Sequence, residues 1–309
     1  MRYGRQVAAA LLLDAMFGEP PESVHPTVLM GRVISTFEKK SLSLESPRSR
    51  RLAGIILALF LPSFVFVATR KLLNVVPGRL RWLVGTGLIS TTLSMRGLAN
   101  AALNVERELR AGELEGARVR VGRFVGRDTE ALPESEICRA AVESVAENTS
   151  DGVVAPMFYG LLLGAPGALA YKAVNTLDSM VGYPHSPYAE IGWASARLDD
   201  IGNLAPARTT VLAAAAVSGR PLRTLRITRR YGSLTTSPNA GRAEAAYAGA
   251  LCVRLGGTNS YGGVLREGPV LGDGSLPVPT DIRRAVNLMR RCCMLLALLA
   301  ILGERVRRG

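Results

Sequence analysis

Glu143, Glu147 and Asp151 fall at intervals of four residues, so a helix puts all three carboxylates on one face. With Asn148 they form a set of hard oxygen donors suited to Mg²⁺, or to acid and base work. A solvated helix face explains three acids alone equally well. They stand, however, at the edge of an almost wholly apolar stretch, VVAPMFYGLLLGAPGALA, where an unpaired carboxylate is costly.

A second cluster follows in AYKAVNTLDSMVGY. Lys172, Asn175, Asp178 and Ser179 share one helical face, and Lys172 is one of only four lysines in the chain. It can clamp a phosphate or carboxylate, or simply snorkel from an apolar segment. The third cluster is GWASARLDDIGN, where Arg197 precedes the adjacent Asp199 and Asp200 and Asn203 lies one turn on. Two aspartates and an amide suit a metal–phosphate site, with the guanidinium free to bind an anion bidentately. Three polar clusters separated by apolar sequence point to one shared site. Two weaker groups complete the candidates. LLLDAMFGEPPESVHP carries Asp14, Glu19 and His25, while SPNAGRAEAAYAG and RLGGTNSYGG carry Asn239, Glu244, Arg254 and Asn259. Glycine there permits close approach to a ligand, and ordinary turns explain it as well. Neither matches a nucleotide-binding fingerprint.

The elements holding these residues are apolar. Of 309 residues 48% are hydrophobic and 20% charged. Apolar runs occur at Val7–Phe17, Leu52–Ala68, Trp82–Met95, Val153–Ala170, Ala205–Val217 and Met294–Leu302. None is an uninterrupted run of about 20 residues, the usual spanning length. Glycine and proline breaks are tolerated where neighbouring helices cover the backbone. The pattern predicts an all-α, polytopic integral membrane protein with about four to six membrane helices. It reads as a single membrane-embedded domain over 1–309, with a polar helical insert at about 100–152 and a loop-rich polar region at about 218–286. The net charge of +13 sits mainly in arginine clusters that border apolar runs, with few interleaved aromatics. That pattern fits basic loops held beside anionic lipid on the cytoplasmic side, not nucleic-acid binding. Four cysteines without a CxxC pair, and two histidines, make neither a disulfide framework nor a structural zinc site.

If every apolar run crossed, Glu143–Asp151 and Lys172–Asp200 would face opposite sides. Gly164-Ala165-Pro166-Gly167 is therefore expected to break Val153–Ala170 into a re-entrant helical pair.

In this order DAMFGEPPESVHPTVLMGRVI, ESVAENTSDGVVAPMFYGLLLGAPGALAYKAVNTLDSMVGY, GWASARLDD and SPNAGRAEAAYAGAL resemble the CbiB/CobD family of cobalamin biosynthesis, the adenosylcobinamide-phosphate synthases. The resemblance runs from about Leu11 to Gly274. It implies a multi-pass enzyme of the plasma (inner) membrane with its active site facing the cytoplasm. Its reaction would be ATP- and Mg²⁺-dependent amide formation. Aminopropanol or its phosphate would be joined to a propionate carboxylate of adenosylcobyric acid, the adenosylcorrinoid substrate. Membrane lipid and other membrane-bound cobamide-assembly enzymes are the implied partners. On this basis Glu147, Lys172, Asp178 and Arg197 are expected to be catalytic, and Asp151, Asp199 and Asp200 to hold Mg²⁺. Glu143, Asn148, Asn175, Ser179, His25, Asn239, Glu244, Arg254 and Asn259 are expected to bind substrate or nucleotide. Ala243 stands where the family pattern leads one to expect a proline before the glutamate. The competing readings are a Mg²⁺-dependent intramembrane prenyltransferase, which LDDIGN and NTLDSM fit only loosely, and a non-enzymatic membrane transporter or regulator.

Overall fold

The computed structural model describes residues 3–308, and almost all of the regular structure among them is helical. In chain order the helices are α1 (Gly4–Phe17), α2 (Pro26–Leu42), α3 (Pro47–Val75), α4 (Gly78–Ser90), α5 (Met95–Arg110), α6 (Leu114–Val121) and α7 (Glu134–Thr149). After a wider π turn at Ser150–Val154 come α8 (Ala155–Leu163), α9 (Ala165–Val181), α10 (Trp193–Gly202), α11 (Leu204–Val217), α12 (Pro221–Tyr231) and α13 (Ala240–Leu251). Four short strands follow: β1 (Leu255–Gly256), β2 (Asn259–Tyr261), β3 (Val264–Arg266) and β4 (Val270–Leu271). Helix α14 (Pro279–Arg308) ends the chain. Backbone contacts gather these elements into two compact units. One comprises the chain up to Ser94, Ala155–Asn203 and the part from Ala297; the other comprises Met95–Val154 and Leu204–Leu296.

In the first unit α3 has 29 residues, a rise of about 44 Å, which exceeds the roughly 30 Å hydrocarbon core of a bilayer. Its Leu57 and Leu61 pack with Met30 and Ile34 of α2 and Leu169, Ala173 and Leu177 of α9. Leu52, Ile56, Leu59, Phe60 and Phe64 are left exposed. A helix with a packed stripe and an open apolar face is what a lipid-facing span requires. Helix α14 meets the same criteria of length and apolarity, and keeps Met294, Leu298 and Leu302 exposed. It begins at Pro279, well ahead of the expected Met294, because Ala285, Val286, Met289 and Cys292 extend the apolar face between arginines. Among the described residues these two helices alone are long and apolar enough to cross. The runs at Val7–Phe17, Trp82–Met95 and Ala205–Val217 lie mainly in helices of 14, 13 and 14 residues, each only about 20 Å long.

Val153–Ala170 is not one helix. Gly164, with φ 70° and ψ −159°, breaks it, and Pro166 starts α9. Tyr159 and Tyr171 stack across the break with ring centroids 5.1 Å apart, so α8 and α9 fold back as the hairpin the Gly-Ala-Pro-Gly sequence predicts. Nine residues of α8 rise only about 13 Å, too little to cross a bilayer. Gly164 occupies backbone space that is essentially restricted to glycine. A Cβ there would stand 3.1 Å from the Tyr3 ring. Gly164→Ala is expected to cost roughly 1–3 kcal/mol. Thermal unfolding in detergent reads this directly, and an unchanged midpoint would overturn the strain argument.

The second unit contains α5, α6 and α7 of the expected polar insert, and its centre is α13. Ala243, Ala245, Ala246 and Tyr247 of α13 are all buried. The region 218–286 is more helical than its glycine and proline content suggests. Alanine-rich AGRAEAAYAGAL favours helix intrinsically, and the glycines cluster in the turns beyond it. One such turn closes the antiparallel β2–β3 hairpin, where Gly262 and Gly263 have φ of 58° and 78°, as a tight primed turn requires. Strands β1 and β4 pair separately.

Candidate functional site

The structure distributes the predicted site residues over both units. His25, Lys172, Asn175, Asp178, Ser179, Arg197, Asp199 and Asp200 belong to the first. Glu143, Glu147, Asn148, Asp151, Asn239, Glu244, Arg254 and Asn259 belong to the second.

In the first unit the site is made by α9 and α10. Gly192 precedes α10, and a Cβ there would lie only 1.7 Å from the carbonyl oxygen of Val181, at the end of α9. That close approach brings the Asp199 face of α10 against the Lys172 face of α9. Asp199 is buried, and its Oδ2 accepts a hydrogen bond from Asn203 Nδ2 at 2.9 Å. Asn203 Oδ1 in turn accepts from the Tyr171 hydroxyl at 2.8 Å, and the stacked Tyr159 donates to the carbonyl of Gly202 at 2.8 Å. Burial pushes the Asp199 carboxyl up to about 6, helped by the neighbouring Asp200; Asn203, Asn175 and the Lys172 ammonium pull the other way. Lys172 Nζ donates to Asn175 Oδ1 at 3.3 Å. Arg197 is exposed, Asp178 and Asp200 are half-buried, and exposed Ser179 donates to the Asn175 carbonyl.

The buried Asp199 Oδ1 has no hydrogen-bond partner among the described residues, nor does the buried Ser195 hydroxyl one turn earlier on the same helix. Among those residues no three His, Cys, Asp or Glu side chains gather as a metal cage. A half-used carboxylate beside a second one still fits Mg²⁺, which keeps most of its water and needs one or two carboxylates when substrate phosphates supply the rest.

Lys172 also lines a cavity of about 390 Å³, whose walls include Glu19, His25, Thr27 and the Thr91–Ser94 turn. His25 is the N-cap of α2. Its Nδ1 accepts from Thr27 N at 3.1 Å, which leaves Nε2 to carry the proton, 3.3 Å from a carboxylate oxygen of Glu19. GEPPESVHP thus reaches the Lys172 region through a cavity that no sequence spacing reveals.

In the second unit the acidic ridge is not a uniform face. Glu143 is buried: its Oε1 accepts from Gly256 N at 2.6 Å and from Arg139 Nη1 at 3.1 Å, and Oε2 pairs with Arg127. Arg139, 3% exposed, also donates to the carbonyls of Gly256 and Thr258 and to Asn259 Oδ1. Glu143 and Asn259 are therefore engaged in holding the glycine-rich segment to α7. Asp128 secures the hairpin tip, accepting from Ser260 Oγ and from the N–H groups of Gly263 and Gly262, bonds that hold its carboxyl below the usual range. Glu147 is exposed, Asn148 donates to the Ser144 carbonyl, and Asp151 sits on the π turn. Glu244, largely buried on α13, has its carboxyl raised well above the usual value by burial and by the charges of Glu143 and Glu147, against Arg127 and Arg139. Buried Asn239 precedes α13, and exposed Arg254 lines a cavity of about 410 Å³ with Glu136 and Arg139. Arg127 and Arg139 were not among the sequence candidates; the i, i+4 spacing of Arg139 and Glu143 could have found Arg139, while Arg127, 16 residues before Glu143, carried no such signal.

Two long helices with exposed apolar faces, a buried carboxylate facing a lysine and a second carboxylate beside it are the features of a helical protein suited to a membrane, with a polar, anion-compatible site. The chain belongs to the CobD/CbiB family: the family model described as "CobD/Cbib protein" matches residues 7–289. It is 45% identical to the "Cobalamin biosynthesis protein CobD" of Geobacter metallireducens, over 96% of this chain and 95% of that protein. It is 43% identical to the protein of the same name from Synechocystis, over 88% and 83%. With the "Cobalamin biosynthesis protein CbiB" of Salmonella typhimurium the identity is 41%, over 91% of each. No solved structure matches the chain significantly.

Proposed function

We propose that this chain is an adenosylcobinamide-phosphate synthase, which makes an amide between a propionate carboxylate of adenosylcobyric acid and the amine of aminopropanol or its phosphate. Family membership across residues 7–289 is the observation that carries the reading. The chemistry requires activation, because a carboxylate and an amine otherwise only exchange a proton. Transfer of the ATP γ-phosphoryl group to the carboxylate releases ADP and gives an acyl phosphate. The neutral amine then attacks the acyl carbon, the C–N bond forms, and inorganic phosphate leaves.

Lys172 is assigned to offsetting charge on the transferring oxygens, with Arg197 as a second cation. Asp199 and Asp200 are the carboxylates assigned to Mg²⁺, which when bound would neutralise phosphate charge, and Asp151 of the second unit is a separate candidate ligand. Asn175 and Asn203 orient Lys172 and Asp199 through the hydrogen bonds described above. Glu147 and Asp178 are assigned to moving the amine proton. Asn148, Ser179, Asn239, Glu244 and Arg254 are assigned to substrate or nucleotide contacts, while Glu143 and Asn259 act by holding the glycine-rich segment in place. The protein is proposed to sit in the plasma membrane with four to six membrane helices, α8–α9 forming a re-entrant pair and the site opening to the cytoplasm, beside other membrane-bound enzymes of cobamide assembly. Incubating the purified protein with ATP, Mg²⁺, aminopropanol phosphate and adenosylcobyric acid, followed by mass spectrometry, tests this. The expected product has the mass of acid plus amine less one water. Its formation without nucleotide would overturn the ATP step, and its absence under every condition would overturn the reaction.

A further inference from the structure

The corner between α3 and α4 carries an inference that is independent of the reaction and rests only on α3 crossing the membrane. The apolar run Leu52–Ala68 of α3 rises about 26 Å, close to the roughly 30 Å hydrocarbon core of a bilayer. Arg70 and Lys71 follow it at headgroup depth, and Arg79, Arg81 and the exposed Trp82 lie just beyond the turn. Tryptophan is favoured at the membrane–water interface, where basic residues attract anionic lipid.

A cavity of about 620 Å³ opens at this corner, wholly within the first unit. Arg70 and Arg81 line one part of it, and Phe66, Leu73, Leu162 and Leu163 another. Both arginines are exposed, and among the described residues neither pairs with a carboxylate; Arg81 reaches only the carbonyls of Asn74 and Val76, at 3.4 and 3.5 Å. The one acid in the wall, Glu304, is buried and accepts from Arg5 N at 2.7 Å. Water alone would satisfy the guanidinium groups but not the exposed Leu162 and Leu163, and lipid tails alone would do the reverse. A molecule with an anionic head and an apolar tail satisfies both. A zwitterionic lipid fits less well, because its own ammonium already offsets the phosphate.

We propose that this cavity holds one anionic phospholipid, its phosphodiester between Arg70 and Arg81 and an acyl chain along Phe66, Leu73 and Leu162. Leu163 ends α8 and Pro166 lies in the first turn of α9, so the bound lipid braces the hairpin whose second helix carries Lys172.

Native mass spectrometry of the full-length protein tests this, after titration in detergent with phosphatidylglycerol or with phosphatidylcholine of the same acyl chains. The wild type is expected to bind phosphatidylglycerol more tightly. Arg70→Gln combined with Arg81→Gln is expected to weaken that binding about tenfold and to leave phosphatidylcholine unaffected. Arg48→Gln, which removes an exposed charge at the other end of α3, should change neither. Glycerol 3-phosphate, the same charge without a tail, should not displace the lipid at equal concentration. Equal wild-type binding of the two lipids would overturn the proposal whether or not the variants fold. So would an undiminished preference in the double variant, an equal loss in Arg48→Gln, or displacement by glycerol 3-phosphate, which would make the cavity a site for free phosphate. Membrane residence is read separately by cell fractionation. A protein that needs detergent for extraction yet shows no lipid preference would refute the cavity assignment alone, whereas recovery in the soluble fraction would remove the spanning reading and the assignment with it.

Discussion

Glu143→Ala is expected to destabilise the second unit by roughly 3–5 kcal/mol, the usual consequence of removing one partner from a buried ion pair. The size follows from what the carboxylate holds. Arg127 and Arg139 both pair with it, and Gly256 N donates to it. Without it two guanidinium groups face each other with one fewer anion, and the start of β1 loses its tie to α7. Glu143→Gln retains an acceptor for Gly256 but not the charge, so a smaller loss is expected. Thermal unfolding in detergent compares the variants, and hydrogen exchange over residues 255–266 should rise first. A melting midpoint for Glu143→Ala within error of wild type would show that Glu143 is free for substrate, as its place in the acidic ridge first suggested.

The same residue shows where the sequence is legible. The i, i+4 series Glu143, Glu147, Asp151 is real as helix geometry, but periodicity records only which face a residue shares. It does not say that Arg127 and a strand more than a hundred residues away neutralise one member, or that a π turn at Ser150–Val154 resets the phase at Asp151. Gly164 and Pro166 predicted a break because their backbone limits act locally, and the α8–α9 hairpin forms there. The full α14 span was missed for the opposite reason. Four arginines interrupt its first half, yet Arg290 and Arg291 lie on an exposed face that a linear hydropathy reading averages in with the buried one. The LDD and YKAVN motifs are adjacent in the fold because Gly192 lets α10 approach the end of α9, a packing fact outside either motif. Tyr171 carried no sequence signal as a site residue. It gains its role from Asn203, a partner brought in by tertiary structure.

Lys172→Met is expected to lower the rate of amide formation by about 10²–10³-fold, the scale seen when one charge-stabilising donor is lost from a transition state. Methionine keeps the apolar stem against α9's neighbours, and Lys172 is only half-buried, so folding should survive. The ammonium both faces Asp199 and lines the cavity with His25, so its loss removes charge compensation where phosphoryl oxygens are proposed to lie. An effect on kcat larger than on the KM for adenosylcobyric acid is expected, because the corrinoid carboxylate is already anionic when it binds, whereas charge shifts onto the phosphoryl and leaving oxygens only during transfer. Asp200→Ala, at the neighbouring carboxylate, should give a comparable loss that added Mg²⁺ partly restores, whereas no Mg²⁺ concentration should rescue Lys172→Met. Membrane insertion and melting are checked for each variant. Near-normal turnover in both would detach the α9–α10 cluster from the chemistry altogether and leave the buried Asp199 as a structural hydrogen-bond acceptor.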